Sequence, residues 1–253
     1  MKALYKSIVA SGLLALSGIA SAAVIQGNAL QGVLNDITVG GDSSVNVHED
    51  QVVNDGLWSL TGTGMGSATL VIELAGYAQI NSFGVYDYSD PLNSVELFAG
   101  ERSAGDKASL SIGENGEVTV VLINADGSFA GVNQGTFERD RFGYYLQSGS
   151  GETYYSENHL NASTGGEPVE GDDHMVAYQG KGDVVDLEGS EAGTWTDNEY
   201  ILAWEDLPLD VSDRDYTDFV VMVESVEPVP EPAILAMFGL GLAAFGFASR
   251  KRK

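Results

Sequence analysis

Short runs of alternating apolar and polar residues dominate the middle of this chain. Alternation puts apolar side chains on one face of an extended strand, because successive side chains point to opposite sides. The runs predict strands at Ala68–Tyr77, Phe83–Tyr88, Ser94–Phe98, Ala108–Ile112, Glu117–Ile123, Phe142–Gln147, Thr153–Ser156, His174–Tyr178, Tyr200–Trp204 and Phe219–Val226. The clearest hairpin is Ala108–Ile123. Its arms, carrying Leu110 and Ile112 on one side and Val118 and Val120 on the other, flank Asn115-Gly116, a pair that tolerates positive φ. No long stretch repeats apolar residues at helical spacing. Many short strands with glycine-rich turns predict an all-β body, a β-sandwich or jelly roll. The polar segment Asn161–Asp173, with Gly165-Gly166 and Pro168, reads as a long loop inside one domain, because the roughly 50 residues after it are few for a core of their own.

Both ends break the pattern. Lys2 and Lys6 precede an apolar stretch, Ile8–Ile19, and then the small residues Ala20-Ser21-Ala22. That order predicts a signal peptide over residues 1–22, cut by signal peptidase after Ala22; a buried N-terminal helix is the alternative. At the other end Val229-Pro230-Glu231-Pro232 is followed by an uncharged apolar run, Ala233–Ser249, and by Arg250-Lys251-Arg252-Lys253. The prolines enforce an extended spacer over residues 227–232. Seventeen residues of helix rise roughly 25 Å, a little short of the hydrocarbon core, and snorkelling basic side chains make up the rest. Four positive charges hold the terminus in the cytoplasm. Residues 233–253 thus predict a single transmembrane helix with a basic tail. The order of Pro-Glu-Pro, span and basic tail resembles the PEP-CTERM sorting signal of Gram-negative bacteria. The resemblance implies recognition by an exosortase, loss of the tail, and delivery of the body to the envelope, outer surface or extracellular matrix after a transient stay in the inner membrane. An ordinary membrane anchor is the alternative. The fold then concerns residues 23–226.

Charge narrows the choice of partners. Of 12 basic residues in the 253, six lie in the terminal signals, against one of the 37 acidic residues, Glu231. The body keeps 6 basic and 36 acidic residues, a formal net charge of −30. Such a surface repels nucleic acid. It also repels itself, which favours bound cations, although acidity that merely keeps an exported protein soluble would look the same. Cysteine is absent, which excludes disulfides, thiol catalysis and thiolate metal sites.

The densest acidic run lies between the last two predicted strands. Six carboxylates fall between Glu205 and Asp218, against one arginine, Arg214. Crowded carboxylates repel unless a cation sits among them, and calcium, a hard ion taking six to eight oxygens, suits the set. An EF-hand started at Asp213 fails, because its sixth position is Asp218 where that loop needs glycine, and Glu224 falls in a strand. The stretch from Trp204-Glu205-Asp206-Leu207 to Asp213-Arg214-Asp215-Tyr216-Thr217-Asp218-Phe219-Val220 resembles a bacterial extracellular domain of unknown function, number 4114, with the similarity spanning His174–Val226. Thr217 departs from that family's usual asparagine, and Leu209-Asp210-Val211-Ser212 from its glycine-rich connection. The resemblance implies a β-sandwich and suggests calcium, and by position the candidate metal ligands are Asp206, Asp213, Asp215 and Asp218, with Glu205. It assigns no activity. A solvated acidic turn is the alternative.

The remaining candidates are less specific. His48, His159 and His174 lack zinc spacing. Trp58, Trp195 and Trp204 suit a core as well as a sugar platform. In Tyr144-Tyr145 and Tyr154-Tyr155 one ring of each pair faces outward, which offers a glycan surface. Carboxylate pairs are too abundant to single out a glycosidase, and no nucleophile elbow, phosphate loop or His-Glu-x-x-His motif occurs. The chain reads as a non-enzyme with a structural or adhesive role, able to meet anionic polysaccharide through divalent ions. A carbohydrate-binding module and a secreted polysaccharide hydrolase are the alternatives.

Overall fold

The computed structural model describes residues 23–62, 65–73, 80–100, 102–138, 140–162 and 172–230. The predicted signal peptide and C-terminal span lie outside these. Among the described residues no helix is long and apolar enough to cross a membrane.

One helix, α1 (Ala29–Ile37), precedes the strands β1 (Trp58–Leu60), β2 (Met65–Glu73), β3 (Ser82–Asp87), β4 (Asp90–Phe98), β5 (Lys107–Ile112), β6 (Glu117–Ile123), β7 (Phe129–Thr136), β8 (Arg141–Gln147) and β9 (Thr153–Tyr155). After these come β10 (Met175–Gln179), β11 (Val184–Val185), β12 (Gly193–Thr194), β13 (Glu199–Trp204), β14 (Phe219–Glu224) and β15 (Val226–Pro228). One sheet runs β15-β1-β8-β3-β4, with β9 added to β8. The other runs β10-β13-β14-β2-β5-β6-β7, and β11 pairs with β12 in a separate ribbon. Every named pairing is antiparallel. The predicted all-β class holds in this coarse form.

The two sheets close on a core of Trp58, Phe83, Val85, Leu110, Val120, Phe142, Tyr144, Leu202, Trp204, Phe219 and Val221, among others. Trp58 packs edge-on against Tyr144 and Tyr200, at centroid distances of 5.8 and 5.0 Å. The Asn115-Gly116 turn is as expected: Gly116 has φ +85, and a Cβ there would meet the Phe137 carbonyl oxygen at 1.9 Å. Where the sheets meet at their β4 and β7 edges, side-chain amides tie one strand to the other. Asn133 Nδ2 donates to the Glu96 carbonyl at 2.9 Å, and Asn93 Nδ2 to that of Thr136 at 2.8 Å. These bonds occupy edge acceptors that would otherwise invite another strand.

A second core lies on the outer face of the seven-stranded sheet. Val176 and Tyr178 on β10, Ile201 and Ala203 on β13, and Val220 and Met222 on β14 pack against Ile25, Leu30, Leu34, Val45, Val47, Trp195 and Tyr216. These three strands are therefore buried on both faces, which is why Ile201–Trp204 and Phe219–Val223 are continuous apolar runs. Helix α1 forms because Leu30, Val33, Leu34 and Ile37 share a face over this sheet. It is a helix that the predicted strand pattern omits. Gln31 fixes it, donating to the Val45 carbonyl at 3.0 Å and accepting from the Val47 amide at 3.1 Å. Thr38 ends it, turning extended while its hydroxyl bonds the Leu34 carbonyl at 2.7 Å.

Three further expectations are corrected. The predicted strand Phe219–Val226 is two strands, because Ser225 adopts φ 59 and the chain there crosses from one sheet to the other. The predicted spacer begins inside the fold: β15 pairs with β1, and the Val229 amide still donates to the Leu57 carbonyl at 2.7 Å. Tyr145 points outward as alternation requires, yet it is only 8% exposed, because its ring covers Gly84. Asn161 closes the long loop at its base, bonding Tyr155 on one side and the Asp172 carbonyl on the other.

Candidate metal centre

The acidic segment begins where β13 ends, and alternation along that strand splits it. Trp204 faces the inter-sheet core, so Glu205 turns towards the outer layer and Asp206 back between the sheets. Glu205, Asp213 and Asp215 come together, each placing a carboxylate oxygen within 4.8 Å of the others'. Asp206 and Asp218 form a separate pair, in which the Asp206 amide donates to Asp218 Oδ2 at 2.9 Å and Asn81 Nδ2 donates to Asp206 Oδ2 at 3.0 Å. The five residues grouped from sequence are thus two sets.

The loop is shaped to present the first set. The Val211 and Ser212 amides both bond the Pro208 carbonyl at 3.0 Å, making one tight turn. Arg214 and Tyr216 then adopt φ 57 and φ 55, on either side of Asp215. A left-handed conformation costs a non-glycine residue about 1 kcal/mol or more, so the surroundings must hold it. They do: the Tyr216 amide donates to Glu205 Oε1 at 2.7 Å, its hydroxyl donates to the Asp173 carbonyl at 2.7 Å, and its ring is buried in the second core. Arg214 Nε donates to the Leu209 carbonyl at 2.9 Å, and its own carbonyl accepts the Gln26 amide at 2.8 Å. Thr217 keeps the hydroxyl noted from sequence, and spends it on Asp215 Oδ1 at 2.7 Å, where its amide also donates.

Glu205 is the anomaly. It is 0% exposed, and its second oxygen, Oε2, has no hydrogen-bond partner. The one neutral donor beside it is the Ser212 hydroxyl, itself buried, which sits outside ideal hydrogen-bond geometry yet close enough to stabilise the Glu205 carboxylate. A buried orphaned carboxylate oxygen costs several kcal/mol unless it is neutralised or ligated. Burial first, and then the charges of Asp213 and Asp215, push the Glu205 carboxyl above its ordinary range. Burial, with Asp206 close by, raises Asp218 to about 7. Burial alone raises Asp173 to about 7 and holds His174 down to about 4. Three carboxylates with oxygens within 4.8 Å of one another, one of them fully buried, make a hard-cation donor set, with the Ser212 hydroxyl beside Glu205 as a neutral ligand.

The titration carries a prediction. An acid whose folded pKa is raised binds its proton more tightly in the native state, so its contribution is full at low pH and is lost as pH rises towards the folded value. For Asp173 and Asp218 that loss spans roughly pH 4 to 7, and Glu205 and Asp55, both also raised by burial, act in the same direction. His174, held low, opposes it below roughly pH 6.5, as one group against four. In chelator, the melting temperature is therefore expected to fall between pH 5 and pH 7.5. Saturating calcium should flatten the profile, since the ion then does what the proton did. A chelated protein more stable at pH 7.5 than at pH 5 would refute the assignment.

The aromatic candidates sit elsewhere. Trp58, Trp195 and Trp204 are all 0% exposed, and Tyr154 stacks on His174 with centroids 3.7 Å apart. His48 Nε2 meets Asn28 Oδ1, and His159 lies 3.9 Å from Glu157. Sequence reasoning missed the full burial of Glu205, whose only trace is a glutamate directly after a buried strand.

Comparison with known protein families agrees with both resemblances. The model of a domain of unknown function, number 4114, matches residues 104–226, starting 70 residues before His174. The PEP-CTERM protein-sorting motif matches residues 228–253, which include Val229, Pro230, Glu231 and Pro232. The motif implies export and processing by an exosortase. No curated protein and no solved structure matches the chain.

Proposed function

We propose that this is an exosortase-sorted, non-catalytic protein of the envelope or extracellular matrix, with a calcium-stabilised β-sandwich in a structural or adhesive role. The observation that carries the calcium reading is the grouping of the fully buried Glu205 with Asp213 and Asp215, carboxylate oxygens within 4.8 Å of one another. Glu205, Asp213, Asp215 and the Ser212 hydroxyl would hold the ion. Its charge would cancel their repulsion and fix the two left-handed residues of the loop. The sorting motif supports the destination, and the net charge of −30 supports bridging by divalent ions to anionic polysaccharide.

Thermal melting of the chain without its terminal signals tests the ion. Calcium at a hundred times its dissociation constant adds about 2.7 kcal/mol, or roughly 5–10 °C for a body of this size. Asp213→Ala with Asp215→Ala should abolish the increment. A melting curve unmoved by millimolar calcium would remove the structural ion from the account. The bridging role is tested by retention on matrix polysaccharide, which excess chelator should release.

A further inference from the structure

We propose that a cavity at the loop end of the sandwich binds a neutral saccharide unit, recognised directly by Arg102 and Asp126 with no ion between. This goes beyond the ion at Glu205 and does not depend on it. The cavity has a volume of about 730 Å³, within the span usual for small-molecule sites. Both sheets contribute to it, through the connection between β4 and β5, the turn after β6, and Ile80 just before β3. Glu205, Asp213 and Asp215 are not among its walls. The frame is tied before anything binds. Asp106, 7% exposed, accepts the Ser103 amide at 3.2 Å and the Ala125 amide at 2.8 Å, which joins one wall to the other. A Cβ on Gly105 would meet the Glu188 carbonyl oxygen at 2.5 Å, so a neighbouring turn presses on this frame from behind.

The lining brings donors and acceptors to one place. Arg102 Nη1 donates to Asn124 Oδ1 at 2.9 Å, which fixes the plane of the guanidinium. The Asp106 carboxylate lies 3.8 Å from it and already accepts two amides, so the guanidinium is not spent on a buried acid. Its Nε and Nη2 make no bond among the described residues. Asp126 accepts the Ser128 hydroxyl and amide through Oδ1, which leaves Oδ2 as an acceptor. Those bonds hold its carboxyl below the ordinary range, so it stays charged. A fixed donor and a charged acceptor lining one cavity match neighbouring hydroxyls of a sugar, each of which both donates and accepts. Ile80, 61% exposed, offers apolar surface to the C–H face of the ring. The same walls exclude other ligands. Asp106, Asp126 and the body's charge of −30 repel an anion, Arg102 repels a bare cation, and a charged lining suits no apolar molecule.

Titration calorimetry of the full chain tests this, in excess chelator and in a detergent without a sugar headgroup. The probes are cello-, malto-, manno- and xylohexaose as neutral chains, with oligogalacturonate as the acidic comparison. At least one neutral chain should bind, and oligogalacturonate should not. Arg102→Ala should weaken that binding about tenfold or more, the loss expected for hydrogen bonds from a charged group. Asp126→Asn keeps an oxygen for Ser128 and puts a donor where the free acceptor was. It should weaken binding several-fold while leaving thermal melting unchanged. Asp213→Asn with Asp215→Asn should leave binding in place, which separates this site from the ion at Glu205. Binding of no neutral chain, or binding that Arg102→Ala and Asp126→Asn both leave unchanged, would overturn the proposal. So would binding of oligogalacturonate alone, and only once calcium is restored, a result that keeps ion bridging and removes this site.

Discussion

Trp58→Ala is expected to destabilise the body by about 3–5 kcal/mol, the range for removing a large buried aromatic side chain. The indole is 0% exposed, and it fills the space between the sheets against Tyr144 and Tyr200. Its Nε1 also donates to the Asp55 carbonyl at 2.7 Å, an acceptor that alanine leaves bare. The effect reaches the C-terminus, because Trp58 pairs with Phe142 on one side and Pro228 on the other. Loss of the indole should therefore loosen β15 and the entry to the sorting motif. Urea unfolding checks the magnitude, with Leu92→Ala as control, since Leu92 is 88% exposed and its truncation should fall within about 0.5 kcal/mol. A Trp58→Ala midpoint as small in shift as the control would show that the sheets are not packed as described.

Chelation is expected to unpin the N-terminal layer before it unfolds the sandwich. Arg214, held left-handed beside Asp215, gives its carbonyl to the Gln26 amide, and Tyr216 shares the second core with Ile25, Leu30 and Leu34. An ion on Glu205, Asp213 and Asp215 would stabilise this arrangement by its own binding energy. At a hundred times the dissociation constant, that is roughly a hundredfold in the opening equilibrium. Hydrogen exchange at Gln26 and along α1 should accelerate by about that factor in chelator, with β5 and β6 little changed. Equal acceleration everywhere would mean that the ion, if present, serves the whole body and not this layer.

Much of the sandwich was legible because its strands alternate. The β5–β6 hairpin was placed to within a residue, as Leu110 and Val120 oppose each other across a turn that only a positive-φ residue closes easily. What escaped had no periodic signal to give. Strand β7 is an edge strand whose residues are all exposed or half-buried, so no apolar face marks it. Strand β1 is three residues long. Helix α1 buries only Leu30 and Leu34 fully, too little apolar repeat to stand out in nine residues. The acidic segment was legible as a cluster and illegible as a geometry. Adjacent residues on a strand point apart, so Glu205 and Asp206, read together, serve different places. Nor does sequence show that Glu205 is buried and bonded by the Tyr216 amide, because that depends on how Tyr216 turns.

Strand β14 sits between β13 and β2, and β2 lies some 150 residues earlier in the chain. The centre of the larger sheet thus waits for nearly the last segment to be synthesised. Closing so long a loop is slow, and antiparallel pairings of this range place the body among late folders. For a polypeptide addressed to the outside, a sheet that is completed only when Phe219–Glu224 arrives favours passage before full assembly.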